Sequence, residues 1–238
     1  MKLKKIVSLA LAGILAVSML TACGEGASEP TPPPAGDPTP ASAIADALNN
    51  KLAPTQADLL SFEANSTLAD ALAWMNDEHT DHLLVTNGVI EVAGYPFLMN
   101  NTIAVPSGRV AQRIAQGLDG LKPAVAAQGL TAINVNTTTN NAYLYVWAVD
   151  GSVGSVDAIA SHIMNGTGTA AGTNGAGLQQ LVYSVIGAVD EGNGVAPGTS
   201  MDYEYKGYAE MVKVSNSLST DSAYVVAVLI EQFSTTNT

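Results

Sequence analysis

Cysteine is nearly absent from this chain of 238 residues, which contains Cys23 alone. A single thiol cannot form a disulfide within one chain, so a disulfide-stabilised scaffold is excluded. If Cys23 is consumed by modification, the folded part has no thiol left to act as a nucleophile. The sequence therefore also excludes a cysteine-histidine enzyme.

Basic residues are scarce as well. The chain has nine Lys and Arg against 21 Asp and Glu, and three of the nine are Lys2, Lys4 and Lys5. The residues after Cys23 thus hold six basic side chains against all 21 acidic ones, a formal charge of −15. A surface this acidic repels phosphate backbones and anionic lipids. We predict no nucleic-acid partner and no electrostatic attachment to membranes.

Two catalytic motifs are missing. No Gly-x-Ser-x-Gly sequence occurs. The glycine-rich segment 166–177 follows a predicted helix and lacks the Lys-Ser/Thr of a phosphate-binding loop. Because both motifs are missing, the sequence predicts no catalytic residue and no cofactor on their account.

The longest apolar run lies at the beginning of the chain. Lys2, Lys4 and Lys5 precede an apolar stretch from Ile6 to Leu20. About fifteen apolar residues are few for a membrane-spanning helix, but behind basic residues they are typical of a secretory signal. We predict a signal peptide over residues 1–22.

The end of this signal, Leu20-Thr21-Ala22-Cys23, closely resembles the lipobox of bacterial lipoproteins. The resemblance implies that the Cys23 sulfur receives a diacylglyceryl group and that the chain is cleaved before Cys23. Two acyl chains hold a protein firmly on a bilayer, whereas one chain binds reversibly. We expect a protein anchored to the bacterial cell membrane on its extracytoplasmic side. The alternatives are an uncleaved signal anchor, or ordinary cleavage that leaves a free thiol.

Residues 23–41 are predicted to link the anchor to the folded domain. The segment from Gly24 to Ala41 contains six prolines and no large apolar side chain, so it cannot form a core. Proline favours the polyproline II conformation at roughly 3.1 Å per residue, which gives a reach of about 50 Å. We interpret this segment as a semi-rigid stalk.

Residues 42–238 are predicted to form one α+β domain. We expect an antiparallel sheet built from hairpins, with helices mainly on one face. A shared outline of residues 131–149 and 210–233 raises the hypothesis of a duplicated helix-hairpin module. Apolar periodicity predicts helices at 43–52, 66–76, 107–118 and 156–164, and strands at 82–86, 89–93, 131–136, 142–149, 205–214 and 223–233. The apolar run at 178–189 suits a helix or a strand, and we favour the helix.

For some of these elements, the sequence also predicts the role of individual residues. Ser66 is expected to cap its helix. Asn87-Gly88 favours a two-residue turn that pairs Thr86 with Val89. Both faces of the strand 142–149 are apolar, which predicts a strand covered on both sides. The side chains expected to point inward from the helices are Leu68, Ala71, Leu72, Met75, Val110, Ile114 and Leu118.

The segment around His79 and His82 is the best candidate for metal chemistry. The two histidines are three residues apart, so on a helical turn they would share one face. The further ligands would come from Asp77, Glu78 or Asp81. A divalent metal held there suits a metal-dependent or carboxylate-based hydrolase. The structural alternative is a helix end, where histidine is favoured by the helix dipole.

Two further sets of residues suggest ligand binding. Tyr143, Tyr145 and Trp147 alternate along one strand and share a face, which is either an exposed stacking surface or part of the core. Arg109 and Arg113 lie four apart on one predicted helix, where they either clamp a carboxylate or pair with local acidic residues.

Three hypotheses follow for the anchored domain. The first is a module that binds an envelope ligand or a protein partner. The second is the extracellular hydrolase that uses His79 and His82. The third is a structural accessory of an envelope complex. The sequence favours the first because of the predicted location and the absence of catalytic motifs.

Overall fold

The computed structural model describes thirteen segments of the chain. The predicted signal, the predicted stalk and the histidine segment lie outside them. The described residues are 42–77, 84–86, 89–92, 95–100, 103–106, 108–118, 120–121, 123–124, 133–135, 137–166, 176–190, 201–215 and 222–236.

Eight strands of the described residues form one mixed sheet in the order β1-β7-β8-β6-β5-β4-β3-β2. Every neighbouring pair is antiparallel except β1 and β7, which are parallel. The strands are β1 Phe62–Glu63, β2 Leu84–Thr86, β3 Val89–Val92, β4 Tyr95–Asn100, β5 Ile103–Pro106, β6 Asn141–Asp150, β7 Met201–Ser215 and β8 Ser222–Thr236.

Helices cover both faces of this sheet. The helices are α1 Ser42–Asn49, α2 Pro54–Leu59, α3 Ser66–Asp77, α4 Gly108–Gly117, α5 Val156–Asn165 and α6 Ser184–Asp190, the last preceded by a π-helical turn, Gln179–Tyr183. The α+β class predicted from the sequence is confirmed. The prediction that helices lie mainly on one face of the sheet needs correction, because α3 and α4 cover the face opposite α1 and α5.

The centre of the sheet is the pairing of β6 with β8. The ladder runs from Asn141 opposite Gln232 to Asp150 opposite Ala223. All residues of β6 between its two ends are buried, so the strand is covered on both sides as its apolar faces predict. Each large side chain buried in this way stabilises the fold by roughly 1.5–3 kcal/mol.

The first core lies between the sheet and helices α1 and α5, together with the π-helical turn and α6. The rings of Tyr145 and Trp147 stack there with centroids 6.0 Å apart. Helix α5 begins where the Ser155 hydroxyl accepts a hydrogen bond from the Ala158 N–H, at 3.2 Å. Of the two alternatives for 178–189, the structure has the helix, which begins with a π-helical turn.

The second core lies on the opposite face, beneath α3 and α4. All seven side chains predicted to point inward from these helices are buried. Their spacing of three and four residues puts them on one helical face, which meets the even-numbered residues of β6. Leu144 and Val146 thus contact the second core, while Tyr145 and Trp147 contact the first.

The cap of α3 differs from the prediction. Ser66 is the first residue of the helix, and the cap is the preceding Asn65, whose Oδ1 accepts the Leu68 N–H at 2.9 Å. The Asn65 N–H in turn donates to the Glu210 carboxylate in β7, at 2.6 Å. A tertiary contact therefore fixes where this helix begins, and Asn is as good a cap as Ser.

The sequence predicts a strand at 131–136. The structure describes residues 133–135 of this range, and they do not form a strand. In place of a local hairpin, β6 pairs with β5 and β8. The shared outline behind the duplicated-module hypothesis is therefore not found. Strands β2 and β3 pair Thr86 with Val89, the pairing that a two-residue turn at Asn87-Gly88 predicts.

Gly207 lies opposite Phe62, where β1 pairs with β7 in parallel. A Cβ built on Gly207 would lie 2.7 Å from Phe62 Cδ1 and 2.7 Å from the Ser61 carbonyl oxygen. We expect Gly207→Ala to lower the free energy of unfolding by about 1–3 kcal/mol, because backbone and ring must both shift. Denaturant unfolding of the purified chain measures this change.

Gly187→Ala is the matched control for this prediction. Gly187 lies within α6 and a Cβ there meets no atom within 4 Å. The alanine should raise the free energy of unfolding by up to about 1 kcal/mol through helix propensity. Equal effects of the two substitutions would contradict the close approach at Gly207.

Candidate ligand cleft at the end of the sheet

A cleft of about 450 Å³ opens beside the ends of β6 and β8. This volume lies within the range of about 300–1,000 Å³ that is usual for small-molecule sites. The cleft draws on three separate stretches of the chain. It is lined by Gly120, Leu121, Ala124, Asn140, Asn141, Ala142, Glu231, Gln232 and Phe233.

The first wall follows the end of α4. Gly120 has a φ of 93°, a left-handed conformation that favours glycine and turns the chain after the helix. The Ala124 N–H then donates to the Ala142 carbonyl at 2.7 Å, which ties this wall to β6. Leu121 is 37% exposed and presents an apolar side chain to the cleft.

The second wall is the turn that leads into β6. The Asn141 side-chain NH₂ donates to the Thr139 carbonyl at 2.7 Å and to Thr137 Oγ1 at 3.1 Å. Asn140 Oδ1 accepts the Ser234 N–H at 3.0 Å, which ties the turn to the end of β8. The Asn140 amide NH₂ is then the donor group of that side chain.

The third wall carries the charges. Glu231 in β8 lies directly opposite Lys206 in β7, so their side chains are on the same face of the sheet. The Tyr208 hydroxyl donates to Glu231 Oε2 at 3.3 Å. Burial, and then the charge of Glu231, raise the pKa of Tyr208. A phenol is protonated at neutral pH even without this shift, so Tyr208 is a hydrogen-bond donor there. The Lys206 ammonium stands 5.3 Å from the centroid of the Phe233 ring.

A buried polar network lies behind this wall. Gln232 is fully buried; its Nε2 donates to the Asn134 carbonyl at 3.0 Å, and its Oε1 accepts the Tyr143 hydroxyl at 3.2 Å. The Asn134 N–H donates to the Tyr143 oxygen at 2.9 Å. Burial raises the pKa of Tyr205, whose oxygen accepts from Gln232, to about 12. These bonds hold the chain before β6 in place and leave the network neutral.

The aromatic stripe predicted as a candidate binding surface is part of the core. Tyr143 is 3% exposed, Tyr145 is 0% exposed and Trp147 is 1% exposed. The three side chains face the first core, beneath its helices. A ligand therefore has no access to these rings, and the stacking interpretation is wrong.

The other predicted site residues are not brought to the cleft by the described structure. Arg113 is exposed on α4, while the side chain of Arg109 and all of His79, Asp81 and His82 lie outside the described residues. Within the segments that are described, no three His, Cys, Asp or Glu side chains group as metal ligands. The arginine clamp and the histidine metal site stay predictions.

Sequence reasoning missed the cleft, although one signal marks it. Glu231-Gln232 interrupts the otherwise apolar run from Ala223 to Phe233. Polar residues that break a buried strand indicate a site where the chain needs hydrogen bonds or charge. Nothing in the sequence indicates that Asn140 and Leu121 come to the same place.

Comparison with known proteins gives no relative from which a function can be taken. No protein family, no curated protein and no solved structure matches this chain. Among the described residues, none of the helices combines the length and apolar character that crossing a membrane requires.

Glu210 is the most unusual ionisable group of the described residues. Its side chain is in β7 and only 2% exposed, with Oε1 accepting the Asn65 N–H. Its Oε2 is buried without a hydrogen-bond partner among the described residues. Burial raises the pKa of Glu210 above its usual 4.5, and the Asn65 hydrogen bond opposes the shift only in part.

This raised pKa makes stability depend on pH. The folded state holds the Glu210 proton more tightly than the unfolded state does, so its stabilising contribution is complete below about pH 4.5. That contribution is lost as pH rises through the folded-state pKa. We expect Glu210→Gln, which keeps the acceptor for the Asn65 N–H, to remove this loss, as urea unfolding between pH 4 and 8 would measure.

Glu204→Gln is the control, because Glu204 lies on the same strand and is exposed. Its unfolding free energy should follow the wild-type pH profile. If Glu210→Gln also runs parallel to wild type over this range, Glu210 is not the group responsible.

Proposed function

We propose that this chain is a lipid-anchored, extracytoplasmic binding domain of a bacterial cell envelope. The diacylglyceryl group on Cys23 attaches it to the membrane, and the proline-rich segment 24–41 separates the domain from the bilayer. The domain takes a small ligand in the cleft beside β6 and β8. Because the chain after Cys23 has a formal charge of −15, the anchor supplies the membrane affinity.

The cleft is the observation that carries the binding function. Its three walls combine apolar side chains, amides and one carboxylate within a single concave surface. Sites for small ligands have this composition, since apolar contact supplies affinity and a few polar groups fix orientation. The network around Gln232 keeps one wall in place before a ligand arrives, which reduces the ordering that binding requires.

The anchor is tested by acyl labelling. We expect a chain expressed in bacteria with an alkyne analogue of palmitate to be labelled, and Cys23→Ala to abolish the label, because only a thiol forms the thioether. Ser28→Ala, five residues into the predicted stalk, should keep it. A labelled Cys23→Ala chain, or an unlabelled wild type, would refute the lipid anchor.

The cleft is tested by obstruction. Ala124 is exposed and lines the cleft, so Ala124→Trp should fill it while sparing the core. We would screen the full-length chain in a polyoxyethylene detergent by thermal shift against neutral oligosaccharides, diamines, dicarboxylates and short peptides. A ligand at a hundred times its Kd stabilises by about 2.7 kcal/mol. We expect Ala124→Trp to abolish the shift.

Ala73→Trp is the matched control, since Ala73 is exposed on α3 and does not line the cleft. It should retain the ligand-induced shift. A shift that survives Ala124→Trp would place the ligand elsewhere. If no class of ligand gives a shift, the small-ligand function is wrong.

A further inference from the structure

We infer that the cleft binds a neutral, hydroxyl-rich ligand, namely a sugar ring or a short oligosaccharide. This inference rests on the proposed binding function and specifies its ligand class. Three features support a sugar: the charges at and beside the cleft, the apolar surfaces next to the polar groups, and the kind of hydrogen bonds that those groups offer.

The local charge is balanced. Glu231 is directly opposite Lys206 across the β7–β8 ladder, on one face of the sheet. An anionic ligand meets the Glu231 carboxylate and a strongly acidic chain. The Lys206 ammonium does not line the cleft, but it stands beside it, 5.3 Å from the centroid of the Phe233 ring, and repels a cationic ligand from there. A neutral ligand faces neither repulsion. This arrangement disfavours anionic ligands and reduces the attraction of Glu231 for cationic ones.

Apolar surface adjoins these polar groups. Phe233 and the exposed Leu121 both line the cleft, on different walls. A sugar ring presents C–H groups on its faces and hydroxyl groups at its edge, so it needs apolar and polar contacts at once. An aromatic ring is suited to such a face because it offers a large, rigid area with little loss of side-chain entropy.

The polar groups offer both donors and acceptors. Glu231 supplies carboxylate acceptors, and the Asn140 amide supplies N–H donors because its oxygen already accepts from Ser234. A hydroxyl group donates one hydrogen bond and accepts others, so a pair of neighbouring hydroxyls matches this combination. Hydrogen bonds that involve a charged carboxylate are the stronger ones.

Glu231 is also held in position before the ligand binds. The Tyr208 hydroxyl, which is protonated at neutral pH, donates to its Oε2. Residue Gln232, next along β8, is fixed by the buried network. A carboxylate oriented in this way loses little freedom when it accepts a sugar hydroxyl.

The inference is tested by calorimetric titration of the full-length chain in a polyoxyethylene detergent, which carries no sugar headgroup. The probes are chitotriose, cellotriose and maltotriose, with spermidine and citrate as charged comparisons. We expect at least one trisaccharide to bind and neither charged compound to do so. Glu231→Gln and Phe233→Ala should each weaken that binding about tenfold.

Two further variants serve as a second test and as a control. Asn140→Ala alters an exposed turn residue and should weaken trisaccharide binding even if Phe233→Ala is poorly folded. Asp46→Asn removes an exposed carboxylate on α1 that does not line the cleft, and it should leave the affinity within twofold. Melting temperatures of all variants show which of them are folded.

The outcomes separate this inference from the proposed function. Failure of all three trisaccharides to bind, or binding that Glu231→Gln and Asn140→Ala both leave unchanged, would overturn the sugar ligand. If spermidine or citrate binds instead and Ala124→Trp blocks it, the cleft is a ligand site for another class of molecule. The proposed function then stands and the inference falls.

Discussion

The structure depends on the antiparallel pairing of β6 with β8, two strands buried on both faces. In such a strand, alternate side chains enter different cores, so the ladder joins the two layers of helices that lie on either side of it. A change of register by one residue would exchange the two sets and put Trp147 among the side chains of the opposite core. This register decides which side chains of β6 meet α1 and α5 and which meet α3 and α4.

Polar side chains within this apolar centre are few, and each has a specific place. Gln232 bonds the chain before β6, while Glu210 accepts the N–H of Asn65 and so fixes the start of α3. Burying such groups is unfavourable unless they are hydrogen-bonded. Gln232 meets this condition with several partners, whereas the Oε2 atom of Glu210 has none among the described residues. Gln232 therefore holds a wall of the cleft in place, whereas Glu210 makes the stability of the fold depend on pH.

The proposed cleft is where the central ladder meets solvent. The same strands that bury Tyr145 and Val228 at their middle carry Glu231 and Asn141 at their ends, so a rigid support stands directly behind the candidate ligand groups. Placing a site on strands gives better control of geometry than a loop alone. With the acyl anchor and the stalk that we propose, such a domain would sample ligands near the membrane without needing a basic surface.

The local sequence determined which faces of several helices and strands are buried. Spacing of three and four residues defined the buried face of α3, and the two apolar faces of β6 defined a strand covered on both sides. Local sequence did not determine whether a face is exposed. The aromatic stripe that begins at Tyr143 has the same alternation whether helices cover it or not. Only the tertiary structure decided that it is core, and only the tertiary structure brought Leu121, Asn140 and Glu231 to one cleft. The physical reason is that periodicity is a property of neighbouring residues, whereas a cleft is formed by segments distant in sequence whose positions are set by the packing of the whole domain.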